Sequence, residues 1–200
     1  LLVICGPFNR DYLASKGLDL DQFAHCTRIG VNLTMLEDLD AYDPFDIMLG
    51  RDSNRWTFPD LSFLEEVKLA PVAGLCFVKR QGEYGKRQRH DLAIEALTTL
   101  VARAGLASVR LETDWPRTSD GSASPERFES IAARMDVVLT TRLHGMALSL
   151  KNGVPVIAVD GISGGGKVSA QARAIGWPEV FSIDDLSDQA LDRALARSLE

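Results

Sequence analysis

The chain has 200 residues, enough for one ordinary domain or two small ones at ~100–200 residues per domain, and enough to bury a core without staples. Its 46% apolar and 25% charged residues exclude intrinsic disorder, and a net charge of −6 argues against a general nucleic-acid binder. No apolar run approaches the ~18–20 residues of a membrane helix: the longest, such as Val154 to Val159, are strand-sized.

In chain order, Leu1 to Phe8 reads as a strand, with Leu1 to Cys5 buried. No charged region or cleavage site precedes it, so it is not a signal peptide, and the expectation is that upstream residues are missing and the chain is part of a longer protein. Asp19 to Ala24 reads as a short helix, Arg28 to Met35 as a strand, Leu36 to Ala41 as another short helix and Phe45 to Gly50 as a third strand. Asp52 to Pro59 is polar and broken by proline, which predicts a linker. The first expected domain is therefore a partial α/β segment, 1–60.

The second expected domain, 61–200, is more regular. Strands are predicted at Pro71 to Val78, Ser108 to Glu112, Asp136 to Thr141, Val154 to Val159 and Val180 to Ile183. Helices follow each in turn: His90 to Ala104, one opened by Ser124-Pro125-Glu126, Arg142 to Lys151, Lys167 to Ile175, and one capped by Ser187. Such βα alternation predicts a doubly wound parallel α/β sheet of Rossmann-like type. Ligands sit outside the carboxyl ends of the strands in such sheets, which directs attention to the loops after Val78, Glu112, Thr141 and Val159.

Four constellations fall at those loops or at the first segment's end. Thr140-Thr141-Arg142-Leu143-His144-Gly145 lies where a strand turns into a helix. Free N–H groups, the helix dipole and a guanidinium fork make such a turn suited to a carboxylate or phosphate, and His144 is the group there that titrates near neutrality. The same residues read equally as capping and packing of the turn. Gly161 to Lys167, GISGGGK, matches the start of a phosphate-binding loop, but Val168 stands where Ser or Thr must hold Mg²⁺. Two readings remain: Gly164, Gly165 and Lys167 hold a phosphate, or the loop is flexible with a solvated lysine. Lys79 to His90 carries net +4, leaving −10 for the rest; Lys79 and Arg80 suit an anionic ligand, against a default of a solvated face. Gly50-Arg51-Asp52-Ser53-Asn54 is a polar turn, and Asp114-Trp115-Pro116-Arg117 offers Trp115 either to a sugar or to the core. The three cysteines, Cys5, Cys26 and Cys76, form no CxxC pair, fit a reducing compartment and read as small buried apolar residues. His25, His90 and His144 are scattered, so no metal site is expected.

The segment Asp136 to Asp160, DVVLTTRLHGMALSLKNGVPVIAVD, resembles the C-terminal signature of the polysaccharide pyruvyl transferase family: an apolar strand, an Arg-x-His pair opening a helix, then Gly-x-Pro and a second strand. It covers about an eighth of the chain. GRDSN and PDLSF resemble more weakly the family's Arg-Asp segment at the domain junction, and Lys167 is similar to a lysine that follows the signature. The resemblance implies a two-domain fold like the GT-B glycosyltransferases, with its active site in the cleft. It implies transfer of the pyruvyl group of phosphoenolpyruvate, as donor substrate and without a cofactor, to a hydroxyl of a sugar or lipid-linked saccharide in cytoplasmic synthesis of cell-surface polysaccharide. Arg142 and His144 would be catalytic, with Arg51, Lys79, Arg80, Thr141, Gly145, Gly164, Gly165 and Lys167 at the substrate. The family's N-terminal glycine-rich motifs are absent, so a non-catalytic saccharide-binding remnant is one alternative and a nucleotide-sugar glycosyltransferase of GT-B type another.

Overall fold

A computed structural model describes residues 1–78, 80–114 and 124–200. They form two compact units, Leu1–Lys68 and Leu69–Glu200, each with its own parallel sheet.

In the first unit, β1 (Leu2–Phe8), β2 (Ile29–Met35) and β3 (Ile47–Leu49) pair in that order, all parallel. One face of this sheet holds the core: Phe8, Leu33 and Met35 pack against Leu13, Leu20, Leu39 and Phe45. Leu13 comes from α1 (Arg10–Ser15), whose first turn is capped by the Asn9 side chain accepting from the Tyr12 N–H. The other face is apolar but open. Ladder partners Leu2, Ile29 and Ile47 form one row and Ile4, Val31 and Leu49 the next, with Leu2, Ile4, Ile47 and Leu49 exposed. The expected strand at Leu1 to Cys5 is therefore present but not buried: Val3 is half-buried against the core, and Leu1, Leu2 and Ile4 are exposed. Cys5 is likewise exposed, whereas Cys76 is buried as expected.

Three local expectations are corrected here. Asp19 to Ala24 is a single 3-10 turn, Leu20–Phe23, capped by Asp19. Leu36 to Ala41 is a turn, not a helix, because the Asp38 carboxylate takes the Asp40 N–H and the Asn54 amide and closes the chain locally. Asp52 to Pro59 is no linker. Met35 donates its N–H to the Asp52 carbonyl, Ser53 to Trp56 and Phe58 to Arg51, so this stretch folds back onto β2 and β3. Asp60 then caps a further 3-10 turn, Leu61–Leu64, which groups with the first unit.

The second unit is a five-stranded parallel sheet of β4 (Val72–Cys76), β5 (Ala107–Arg110), β6 (Val137–Thr140), β7 (Val156–Asp160) and β8 (Val180–Ser182), in the spatial order β5-β4-β6-β7-β8. The inner strands are continuous apolar runs because both faces are covered. On one face Val137, Leu139, Ile157 and Val159 meet α2 (His90–Ala104) and α6 (Asp188–Ser198). On the other, Val138, Val156 and Ala158 meet α3 (Pro125–Ala132), α4 (Leu143–Lys151) and α5 (Lys167–Ile175). This is the doubly wound architecture the βα alternation predicts. The chain leaves β4 toward β5 and returns to the opposite side at β6, so the sheet has its topological switch point between β4 and β6, where α/β folds bind ligands.

Candidate active site at the switch point

The carboxyl ends of β4 and β6 are tied together by two threonines. Thr140 Oγ1 donates to the Cys76 carbonyl at 2.7 Å, and Thr141 Oγ1 accepts the Val78 N–H at 2.8 Å. Thr140 Oγ1 also accepts the Arg142 N–H at 2.9 Å, which fixes the exit of the strand into α4. Burial among these groups pushes the Cys76 thiol up to about 11, so it is inert packing and not a nucleophile.

Gly145, the third residue of α4, explains the tight turn. A Cβ there would lie 2.5 Å from Thr140 Oγ1 and 2.8 Å from Cys76 Sγ, both closer than real contacts allow. Only glycine lets α4 start this near the sheet. Gly145→Ala is expected to lower unfolding stability by ~1–3 kcal/mol, the range for overpacked cores, in a urea titration followed by near-ultraviolet circular dichroism. An unchanged midpoint would show that the helix start can slide without cost.

A cavity of about 470 Å³ opens directly above this turn. Arg80, Arg142, His144 and Lys167 line it, together with Gln81, Glu83, Thr113, Asp114 and Thr141. Four of the sequence candidates thus meet in one place with Thr141 beneath them. Arg142 is oriented rather than loose. Its Nε donates to the Phe77 carbonyl at 3.0 Å, and Nη1 donates to Thr113 Oγ1 at 2.9 Å and pairs with Glu112 at 2.9 Å. Among the described residues Nη2 makes no hydrogen bond. His144, the second residue of α4, is exposed in the cavity wall. Lys167 opens α5 and lies 4.0 Å from Glu83.

The remaining candidates sit elsewhere. Lys79 and Trp115 lie outside the described residues. Arg51 belongs to the first unit, where it donates to Asp60, Asp52 and Thr34. Gly145 is buried where α4 meets the sheet and does not line the cavity. Gly164 and Gly165 have their amides engaged. Gly164 N–H goes to Asp184 at 2.7 Å, Gly165 N–H to the Ile162 carbonyl at 2.8 Å, and the neighbouring Gly166 N–H to Asp160 at 2.8 Å. The Gly164 amide, with the Ser163 hydroxyl, also holds the Asp184 carboxyl below its ordinary range.

Residues outside the linear motifs complete the site. Glu112 and Thr113 position Arg142 from the end of β5, and Gln81, Glu83 and Asp114 add polar walls. Only the general rule about loops after the strands points at them. Beneath the loops, His90 is buried with neither ring nitrogen hydrogen-bonded among the described residues, and desolvation lowers its pKa. Among the described residues no group of three or more His, Cys, Asp or Glu is placed to hold a metal, and no helix is long and apolar enough to cross a membrane.

The fold and site define a parallel α/β protein with a polar, arginine-bearing cleft at its switch point. Residues 84–163 match the family model of the polysaccharide pyruvyl transferases, the family that the Asp136 to Asp160 segment resembles. The match spans α2 to the glycine loop and includes Arg142, His144 and the Glu112–Thr113 support. No curated protein and no solved structure matches the chain.

Proposed function

We propose that this protein is a transferase that moves the pyruvyl group of phosphoenolpyruvate onto a saccharide hydroxyl. The observation that carries the reading is the pairing, in one cleft, of an anchored arginine and an exposed histidine, both within the matched segment. Phosphoenolpyruvate carries a carboxylate and a phosphate close together. The Arg142 guanidinium suits one of them, and Arg80 and Lys167 suit the other.

His144 then supplies the proton. Protonation of the donor's methylene carbon makes a methyl group and an oxocarbenium-like carbon, to which a sugar hydroxyl adds while returning its proton to the imidazole. A second hydroxyl of the same sugar displaces phosphate, which leaves with that hydroxyl's proton, and the product is a cyclic ketal. Cationic donors fixed in advance of the reaction stabilise the leaving phosphate without reorganising. The glycine loop lends no support to a nucleotide-sugar reading, since its amides are already bonded to Asp160, Asp184 and Ile162.

The test is a titration of the chain with phosphoenolpyruvate, phosphate, UDP and GDP, followed by incubation with phosphoenolpyruvate and a panel of saccharides. Phosphoenolpyruvate at ~100 times its Kd is expected to add ~2.7 kcal/mol of stability. Acceptor-dependent phosphate release with a new methyl singlet by NMR is the expected turnover. Stabilisation by a nucleotide alone would reject the proposal.

A further inference from the structure

Two loops that bring cations to the cleft are joined along one edge. The arm 80–89 supplies Arg80, Gln81 and Glu83, and it runs against the glycine loop 161–166, which leads into Lys167. Gln88 and Ile162 form an isolated antiparallel bridge. The Arg89 N–H donates to the Gly161 carbonyl at 2.7 Å, and the Ser163 N–H to the Arg87 carbonyl at 2.9 Å. Arg87 adds Nε on the Ser163 carbonyl and Nη2 on the Gly165 carbonyl, both at 2.9 Å. Gln88 Oε1 accepts the Gln81 N–H at 3.1 Å, so the start of the arm, beside Arg80, follows its end.

His90, the first residue of α2, stands directly behind this seam. A Cβ on Gly161 would lie 2.5 Å from its Nδ1, so only glycine lets the imidazole rest on the loop backbone. His90 is 4% exposed, and neither ring nitrogen has a hydrogen-bond partner among the described residues. Buried polar side chains are nearly always paired, so this ring is an exception. Of the charged groups around it, Asp160 at the end of β7, Asp91 in α2 and Glu83 in the arm favour the charged ring, and Lys167 at the start of α5 opposes it. The loop 161–166 contributes no titratable side chain. Asp160 is already engaged by the Ile162, Gly166 and Ser169 amides. Desolvation outweighs the three carboxylates and keeps the ring neutral to lower pH than an ordinary histidine.

We infer that His90 is a positioning residue of the cleft: neutral, it backs the seam that holds Arg80 and Lys167 on one anion, and protonated, it unlatches the seam and releases that anion. A ring that gains a charge and a second N–H donor is stabilised by hydration, which an open seam admits and the closed one keeps away. In the open seam the ring titrates as a free histidine, at 6.5, and in the closed seam it titrates lower. The closed form is therefore at full strength above 6.5 and loses ground as pH falls below it, by at most about tenfold per pH unit. Histidine burial of this kind is a common basis of pH-sensitive switching. The inference rests on the reading of this cleft as an anion site and does not depend on the transfer chemistry.

The experiment has two arms, both on the whole chain. Without ligand, NMR hydrogen exchange measures the protection of the Arg89 and Ser163 amides at about pH 7.5 and about pH 5.5, with Val138 in β6 as control, and a proton titration follows the His90 ring. Corrected for intrinsic rates, seam protection is expected to fall several-fold, at most about tenfold, at the lower pH while Val138 holds. With ligand, calorimetry with phosphoenolpyruvate and with sulfate compares wild type and His90→Leu at both pH values. The ratio of the two proteins' affinities cancels the titration of the ligand and of His144. It is expected to move several-fold in favour of the variant as pH falls. A His90 ring that titrates at or above 6.5, seam protection that follows Val138, or an affinity ratio that does not move with pH would each overturn the inference. If His90→Leu does not fold, the wild-type ring titration and exchange decide alone. Phosphoenolpyruvate binding with an unmoved ratio would leave the transfer reading standing without the inference. A moving ratio for sulfate with no phosphoenolpyruvate binding would do the reverse, and no binding of either anion would overturn both.

Discussion

Arg142→Lys is expected to reduce pyruvyl transfer by ~10²–10³-fold, about as much as losing a preorganised donor to a developing anion. Charge is conserved in this substitution, so the loss isolates geometry. The guanidinium uses Nε on the Phe77 carbonyl and Nη1 on Thr113 and Glu112, so its plane is fixed in the cleft wall. A lysine has one nitrogen on a flexible stem and cannot hold the β4 and β5 loops and a ligand together. Arg142→Ala is expected to do worse, because it removes the positive charge together with the geometry. His144→Asn gives the contrasting signature: phosphoenolpyruvate affinity close to wild type and kcat lower by ~10²–10⁴-fold, the usual worth of a general acid–base. Initial rates of phosphate release, with the fold checked by circular dichroism, separate these outcomes. Near wild-type turnover in Arg142→Lys would remove the arginine from the mechanism.

The second unit is largely legible in its residues alone. Its inner strands are covered on both faces and so read as unbroken apolar runs, and its helices announce themselves by Ser124-Pro125, Ser187 and the glycines at 105 and 176. The first unit is less legible because its elements are short. Helix α1 buries only Leu13, so no apolar periodicity marks it and Asn9 is its single signal. At Leu36 to Ala41 the local Asp38 turn is held by a second partner, Asn54, far along the chain, of which local pattern contains no trace. The site divides in the same way. Arg142 and His144 stand two positions apart at one strand-to-helix turn, and a linear motif carries them. Glu112 and Thr113 reach Arg142 only because β5 lies beside β4, which is a property of strand order.

Asp160→Ala is expected to cost on the order of 3–5 kcal/mol, since it strands several buried amide donors at ~1–3 kcal/mol each. The Asp160 side chain is 1% exposed and accepts from Ile162 at 3.2 Å, Gly166 at 2.8 Å and Ser169 at 2.9 Å. Its carboxylate also faces the N-terminus of α5, where negative charge is stabilising. Against a typical domain stability of ~5–15 kcal/mol, the loss would leave the second unit marginal. Asp160→Asn is the informative milder variant. Its oxygen, placed at Oδ2, keeps the Gly166 and Ser169 bonds, but its amide then opposes the Ile162 N–H, donor against donor. An intermediate loss of ~1–2 kcal/mol follows from one unsatisfied amide, measurable by urea unfolding and by faster hydrogen exchange at Ile162. A loss below ~1 kcal/mol in the alanine variant would mean that water replaces the carboxylate and that the loop is not internally capped. The same bonds explain how a glycine-rich GK sequence misleads. The amides that would wrap a phosphate in a nucleotide-binding loop here wrap the protein's own aspartate, two residues ahead of Ile162. The loop therefore serves to fix Lys167 at the rim of the cleft, and loosening it in Asp160→Asn is expected to weaken phosphoenolpyruvate binding without moving Arg142.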